Sequence, residues 1–365
     1  METSEVQYFL DRLKQHKEMI DKFLREYFRE LKATTPYTRY STMNDVERLE
    51  EFLLRGGKRL RGAMVLEAYK MVTGGIDDRI LKVAASIELL HASTLVHDDI
   101  MDESETRRGG PTLHKIHEEE YEKFASKEKR GKGRYGISLA ILDGNELFSL
   151  SLELLQSSGF DDTVINRAIS LWNETYRILN IGQRSDIRME EGFMEEVPSI
   201  MDYWEMVERK TARMFELAIH LGLLFGGATE DQIEELTKYA SLLGKAFQLY
   251  DDILGVFGDP AKTGKSNEDD IREGKMTYLV ITALESATEE EKKILREILG
   301  NRDASSEEIN KVRKILRRYS LEKAKKKCRE LVEGALKHLE KIKMGDSSSK
   351  MFFKGLATFI ISREF

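Results

Sequence analysis

The chain has 365 residues, of which 41% are hydrophobic, 34% charged and only 4 proline, with a formal net charge of −7. This balance supports a substantial core in a helix-rich, soluble protein, and it excludes a strongly basic nucleic-acid-binding domain. A single cysteine, Cys328, excludes an intrachain disulfide framework and a cysteine-rich metal site, and points to a reducing, cytoplasmic setting.

In chain order, Phe9, Leu13, Ile20, Phe23, Leu24 and Phe28 form an apolar stripe that predicts one amphipathic helix over residues 5–32. Thr34-Thr35-Pro36 ends it, and Asn44 or Asp45 is placed to cap the next helix. Residues 45–74 read as helical with an interruption at Arg55-Gly56-Gly57-Lys58-Arg59-Leu60-Arg61-Gly62, and residues 77–103 as one long helix. The stretch from Thr106 to Tyr135 is polar and mixed in charge, which predicts an exposed excursion, most marked over residues 117–134. Residues 136–156, 161–190, 199–226 and 230–256 are further helices. After Gly258-Asp259-Pro260 a polar loop runs to Gly274, followed by helices to the C-terminus. No repeat or composition shift forces a boundary, so one all-α domain over residues 1–365 is the expectation. The acidic N-terminus does not resemble a signal peptide. The longest apolar run, Met214 to Ala228, is broken by Glu216 and His220 and falls short of the ~20 residues of a transmembrane segment.

Two aspartate clusters stand about 150 residues apart, His97-Asp98-Asp99-Ile100-Met101-Asp102 and Tyr250-Asp251-Asp252-Ile253-Leu254. At ~3.6 residues per turn Asp98 and Asp102 share a helix face while Asp99 points elsewhere. Both clusters follow apolar helical stretches, where an uncompensated charge is costly. Oxygen-only ligands favour Mg²⁺, which bridges carboxylates to phosphate oxygens, so the pair of clusters points to a protein that handles a diphosphate. Read alone, an Asp-Asp pair is more often a solvated helix end or cap; the apolar flanks of both clusters shift the balance toward metal.

Several cations accompany them. Gly56-Gly57-Lys58-Arg59-Leu60-Arg61 sets basic residues behind two glycines that let backbone approach an anion. Arg107-Arg108-Gly109-Gly110-Pro111 follows the first cluster and could bind phosphate bidentately or pair with Glu103 and Glu105. Lys210-Thr211 lies in a helix, and Lys265 and Lys275 bracket Asp269-Asp270-Ile271-Arg272-Glu273-Gly274; each is also compatible with ordinary surface charge. A nucleotide P-loop, a dinucleotide glycine fingerprint and a serine nucleophile elbow are not found.

The ordered set Gly-Gly-Lys-x-x-Arg, His-Asp-Asp-x-x-Asp with Arg-Arg-Gly-x-Pro, Gly-Gln, Lys-Thr, Gln-x-x-Asp-Asp and Gly-Lys, spanning Arg55 to Lys275, resembles the trans-isoprenyl diphosphate synthases, and the likeness reappears at Leu356–Arg363. The resemblance implies an all-α isoprenoid synthase fold, a homodimer, and two or three Mg²⁺ ions bound with an allylic diphosphate. Asp98, Asp102 and Asp251 match the metal-bridging carboxylates, with Asp252 beside them and, like Asp99, expected more in a supporting place. Lys58, Arg61, His91 and Arg108 match positions that hold isopentenyl diphosphate, although His91 also reads as a core histidine. Arg107, Lys210, Lys265 and Lys275 match contacts to the allylic diphosphate, and Thr211 and Gln248 the polar groups beside the developing carbocation.

The chain departs from the family pattern at Gly255, where many members have a further aspartate, at Gly62, often proline, and at Gly144-Asn145, often Gly-Asp. Ser93 and Thr94, one turn before Asp98, match the level that limits chain growth, with Leu90 and Ile87 deeper. Small side chains there leave that floor open and predict a product of C20 (geranylgeranyl diphosphate) or longer, unless Phe124 or Phe148 plugs the tunnel. A terpene cyclase would not need Lys58, Arg61 and Arg108. An inactive regulatory paralogue in a heteromeric synthase remains the alternative, for which Gly255 is the only pointer.

Overall fold

The computed structural model describes residues 2–38, 40–41, 43–124, 131–192, 196–260, 266–342 and 346–362. Lys265 and Arg363, the side chain of Phe124, and residues 125–130 of the charged stretch lie outside them. The chain divides into two compact units, residues 11–169 and residues 1–10 with 170–365. Among the described residues the fold is all-α, as the sequence predicts, and its strands amount to one two-residue antiparallel pair.

The first unit contains α1 (Glu2–Thr34) from residue 11 onward, α2 (Met43–Leu54), α3 (Leu60–Thr73), α4 (Asp78–Met101), the strands β1 (Thr106–Arg107) and β2 (Gly110–Pro111), α5 (Leu113–Phe124), α6 (Lys132–Gln156) and the start of α7 (Asp162–Gly192). Its centre is α4, which starts where the Asp77 carboxylate accepts from the Arg79 and Ile80 amides at 3.0 and 3.1 Å. By length and composition α4 could cross a membrane, with a window of mean hydropathy 1.2, but 67% of that window is buried inside the protein, as befits a core helix.

Two local expectations are corrected. Helix α2 begins at Met43, so Asn44 and Asp45 lie in its first turn, where Asp45 pairs with Arg48 at 2.7 Å. The polar stretch after Thr106 is packed rather than solvated in its first part, while Glu119, Glu122, Lys123, Lys132 and Arg134 are exposed. Its first part is the β1–β2 hairpin and α5, in which Thr112, Leu113, His114, His117 and Tyr121 are buried, and His117 bonds Asp143 of α6 at 2.7 Å. One narrow buried stripe suffices to pack a helix whose other faces are charged.

The second unit comprises the remainder of α7, then α8 (Ile200–Val207), a π-helical segment (Glu208–Ala212), α9 (Arg213–Gly226), α10 (Glu230–Phe257), α11 (Asp269–Glu273), α12 (Tyr278–Ser286), α13 (Glu289–Ile298), α14 (Ser306–Tyr319), α15 (Leu321–Lys341) and α16 (Ser347–Ser362). Capping boxes start α8, α10, α13 and α14, from Ser199, Thr229, Thr288 and Ser305. Phe9, Phe352, Phe353 and Tyr239 form an aromatic cluster, in which the Tyr239 hydroxyl donates to the Phe353 carbonyl at 2.7 Å. The loop predicted to run to Gly274 contains the short helix α11.

Candidate active site

In the first unit, a cationic cluster surrounds the turn before α3. Gly56 and Gly57 have φ of 149° and 86°, and Arg59 enters the left-handed region at 53°. Arg59 is fully buried: its Nε donates to Asp21 at 2.7 Å and its Nη2 to the Leu53 carbonyl at 2.5 Å. Arg108 reaches the same turn from the hairpin, where it and Gly109 take φ of 54° and 76°, the pairing required by a two-residue turn. Its Nη1 donates to the Leu53 carbonyl at 3.3 Å, and a Cβ on Gly57 would stand 3.0 Å from its Cζ and 3.2 Å from Arg59 Nη1. Gly57 therefore lies against two guanidiniums. Desolvation and then Arg59 lower the pKa of Arg108, while desolvation followed by Arg61, Arg108, Arg107 and Arg59 holds His91 well below its ordinary value. A neutral imidazole among guanidiniums, with half-buried Arg61 and exposed Lys58 nearby in the chain, suits a polyanion better than another cation.

The carboxylates end α4. Asp98 and Asp102 are partly exposed, and Asp102 caps the helix. Asp99 is buried and paired with Arg107, whose Nε donates to it at 2.7 Å; Arg107 Nη2 lies 3.9 Å from Asp98. Burial, against the opposing pull of Arg107 and with Asp98 and Asp102 adding to it, raises the Asp99 pKa to about 6. Asp99 thus holds Arg107 and leaves the outer two carboxylates at the surface.

Gly62 and Gly144, two of the departures, are close-approach positions. The Gly62 amide donates to the buried Glu88 of α4 at 2.8 Å, and a Cβ there would stand 2.7 Å from Ile20 Cδ1 and 3.0 Å from the Ala84 carbonyl. A Cβ on Gly144 would overlap the His97 ring. Farther along α4, Ser86 donates to the Ser151 carbonyl of α6 at 2.6 Å. Ser93 and Leu90 are fully buried, whereas half-buried Thr94, four residues before Asp98, donates to the His91 carbonyl at 2.8 Å.

In the second unit, Lys210 and Thr211 sit within the π-helical segment, a departure from regular helix frequent at functional sites. Lys210 bonds Asp186 of α7 at 2.5 Å. The Thr211 hydroxyl donates to Gln248 Oε1 at 2.7 Å, Gln248 Nε2 donates to Asp252 Oδ1 at 2.8 Å, and the Tyr203 hydroxyl donates to Asp252 Oδ2 at 2.7 Å. Both oxygens of Asp252 are therefore engaged. Burial, partly opposed by those two donors, raises its pKa to about 7. Asp251, one residue earlier, is half-buried. Lys275 pairs with Glu190 at 3.1 Å and Glu273 at 3.5 Å. The Asp270 carboxylate occupies the space that a side chain on Gly255 would take, so this departure is filled by another acid.

Among the described residues, no three His, Cys, Asp or Glu side chains converge as a ready metal cage. The partly exposed carboxylates do fit Mg²⁺, which takes one or two protein carboxylates and completes its shell with phosphate and water.

The family profile of the polyprenyl synthetases matches residues 46–316. The chain belongs to this family. It is therefore a trans-isoprenyl diphosphate synthase by descent and an enzyme of the prenyltransferase class. It is 36% identical over 312 residues to the geranylgeranyl diphosphate synthase of Saccharolobus solfataricus, covering 84% of this chain and 87% of that protein. Among solved structures, the geranylgeranyl pyrophosphate synthase of Corynebacterium glutamicum, complexed with isoprenyl diphosphate and magnesium, matches with a TM-score of 0.83 and 29% identity over 99% of both chains. The synthetase from Pyrococcus horikoshii matches with a TM-score of 0.82 and 30% identity, covering 98% of this chain and 99% of that one.

As a polyprenyl synthetase the chain contains side chains whose contacts sequence reading had not assigned. Arg59 stands within the Gly-Gly-Lys-x-x-Arg motif at an unspecified position, and its burial cannot be read from a run of basic residues. Asp186 carries a single sequence signal, its place four residues after Gly182 of the Gly-Gln motif. Tyr203 lies outside every motif of the sequence.

Proposed function

We propose that this protein condenses isopentenyl diphosphate with an allylic diphosphate, head to tail and in the trans sense, and releases a product of C20 or longer. The observation that carries this reading is the Thr211–Gln248–Asp252–Tyr203 chain. Asp252 accepts from Tyr203 on one oxygen and from Gln248 Nε2 on the other, which fixes which way the Gln248 amide faces. Gln248 in turn takes the Thr211 hydroxyl hydrogen on its Oε1. The Thr211 oxygen is left to present lone pairs, the polarity needed beside an allylic cation.

The other residues follow from their surroundings. Lys58, Arg61, Arg108 and neutral His91 would hold the diphosphate of isopentenyl diphosphate. Arg107, kept in place by Asp99, and Lys210, kept in place by Asp186, would hold the allylic diphosphate, with Lys265 and Lys275 as further contacts. Asp98, Asp102 and Asp251 would hold two or three Mg²⁺ ions, which as Lewis acids assist departure of the diphosphate. Asp252 would support rather than ligate. After the new carbon–carbon bond forms, the proton would leave to the released diphosphate.

We take the chain to act as one catalytic domain and as a homodimer; Ile137, Ile141 and Leu142 of α6, 38%, 43% and 60% exposed, support the latter. A cytoplasmic setting fits Cys328, which makes no disulfide. The relatives named for a C20 product support the length expected from small Ser93 and Thr94.

The experiment is product analysis with labelled isopentenyl diphosphate, Mg²⁺ and C5, C10 or C15 allylic starters. A Mg²⁺-dependent ladder ending at C20 or beyond is the expected result. Folded protein that elongates none of them would refute the reading in favour of the inactive paralogue.

A further inference from the structure

The π-helical segment Glu208–Ala212 is held from two sides by the same device. On α7, a Cβ at Gly182 would stand 2.5 Å from the Lys210 backbone nitrogen and 2.8 Å from the Arg209 carbonyl carbon. On α10, a Cβ at Gly244 would stand 2.6 Å from Ala212 Cα and 3.0 Å from its Cβ. These are contacts to backbone and to an alanine Cβ, none of which can rotate away. Four residues beyond each glycine, on the same face of the same helix, is the side chain that takes hold of the segment. Asp186 follows Gly182 and bonds Lys210 at 2.5 Å; Gln248 follows Gly244 and accepts from Thr211 at 2.7 Å.

A π turn closes its hydrogen bonds over five residues rather than four and so is wider than the helix on either side. It fits between two neighbouring helices only where they have no side chain. We propose that Gly182 and Gly244 are positioning residues for prenyl transfer: by admitting the widened turn they let Asp186 fix Lys210 at the departing diphosphate and Gln248 fix Thr211 at the cation. This gives the Gly-Gln motif a task, and it rests on the function proposed for the same site. A methyl group at either position must push its helix away or force the segment back to regular helix. Either moves Lys210 and Thr211 by ~1 Å, a misplacement that costs on the order of 100-fold in rate.

The test uses the full-length protein with Gly182→Ala, Gly244→Ala and, as control, Gly192→Ala, which lies on α7 with nothing within 4 Å of an added Cβ. Steady-state kinetics with each substrate varied, and the thermal shift produced by Mg²⁺ with inorganic diphosphate, are the readouts. The expected result for each of the first two is kcat lowered ~10- to 100-fold with the allylic KM raised and the diphosphate shift reduced. The isopentenyl diphosphate KM stays within about twofold, because its proposed ligands lie elsewhere in the chain, and Gly192→Ala matches wild type. The proposal is overturned if a folded variant keeps kcat and allylic KM within about twofold, or if both KM values rise together, the mark of general distortion. Each variant decides alone, and if neither folds the glycines serve packing and the proposal falls. Wild-type protein inactive with every starter would refute prenyl transfer itself, and the positioning role with it.

Discussion

Replacing Gly62 with proline, the residue often found there in the family, should destabilise this chain. At the third position of α3 the amide is one of the four that have no partner within the helix, so proline removes no intrahelical bond and its φ is acceptable. What it removes is the 2.8 Å bond to Glu88, a carboxylate only 4% exposed. A hydrogen bond to a charged group contributes about 1.5–3 kcal/mol, and stripping it from a buried acceptor costs at least that. Crowding against Ile20 and the Ala84 carbonyl adds about 1–3 kcal/mol.

Gly62→Ala separates the two contributions, since it keeps the amide and suffers only the crowding, offset by about 0.5–1 kcal/mol of helix preference. Urea unfolding followed by circular dichroism should therefore show a loss of ~0–2 kcal/mol for Gly62→Ala and ~3–5 kcal/mol for Gly62→Pro. Glu88→Gln added to Gly62→Pro should recover part of the difference, because a neutral amide tolerates burial without that donor better than a carboxylate. If proline costs no more than alanine, or if Glu88→Gln recovers nothing, the Gly62–Glu88 bond is not what fixes α3 on α4. Because Glu88 also lies 3.9 Å from Arg59, the proline variant should raise the KM for isopentenyl diphosphate as well.

The folded pKa of Asp252, about 7, lies above its ordinary value of 3.8, so the native state binds the proton more tightly. Its contribution to stability is fully present below pH ~4 and is lost as pH rises to ~7, at most about 4 kcal/mol in all. Asp252→Asn should accordingly be more stable than wild type at pH 8, with a smaller fall in melting temperature between pH 5 and 8, while losing activity as Gln248 loses its orientation; equal pH slopes would refute this. Asp98→Asn and Asp102→Asn should each lower kcat by at least ~100-fold and raise the Mg²⁺ requirement, and near-normal rates would remove them from metal binding. Ser93→Phe should shorten the product at a cost of ~1–3 kcal/mol in stability, since the site is fully buried; an unchanged product would sink the tunnel-floor argument. Leu142→Asp should yield monomers by light scattering if α6 forms the dimer contact.

What could be read from the sequence was whatever repeats along one helix. The 3.6-residue stripe of α1, the turn between α2 and α3 and the run that became α4 were all visible, because burial of one face leaves a period. The aspartates and cations were visible as chemical types at fixed spacing. What could not be read depends on distance across helices. Helical periodicity runs unbroken from Ile200 to Gly226, so nothing in it marks the five π-helical residues that carry Lys210 and Thr211. The signal lay instead in Gly182 and Gly244, which as isolated glycines in helices look merely unfavourable until the neighbouring backbone is known.

The same reasoning bears on Gly255, the residue that weighed toward an inactive subunit. Taken along the chain it is a lost carboxylate in the second acidic motif. In the fold, Asp270 fills the space over it, and a side chain at 255 would collide with that acid. Asp252 nearby is raised in pKa by Asp270 as well as by Asp251, so negative charge around the motif is retained. A glycine that merely marked decay would leave an empty space or an unopposed cation. This one is matched to a carboxylate from a different helix, and an acidic motif maintained in this way is difficult to reconcile with a chain released from catalysis.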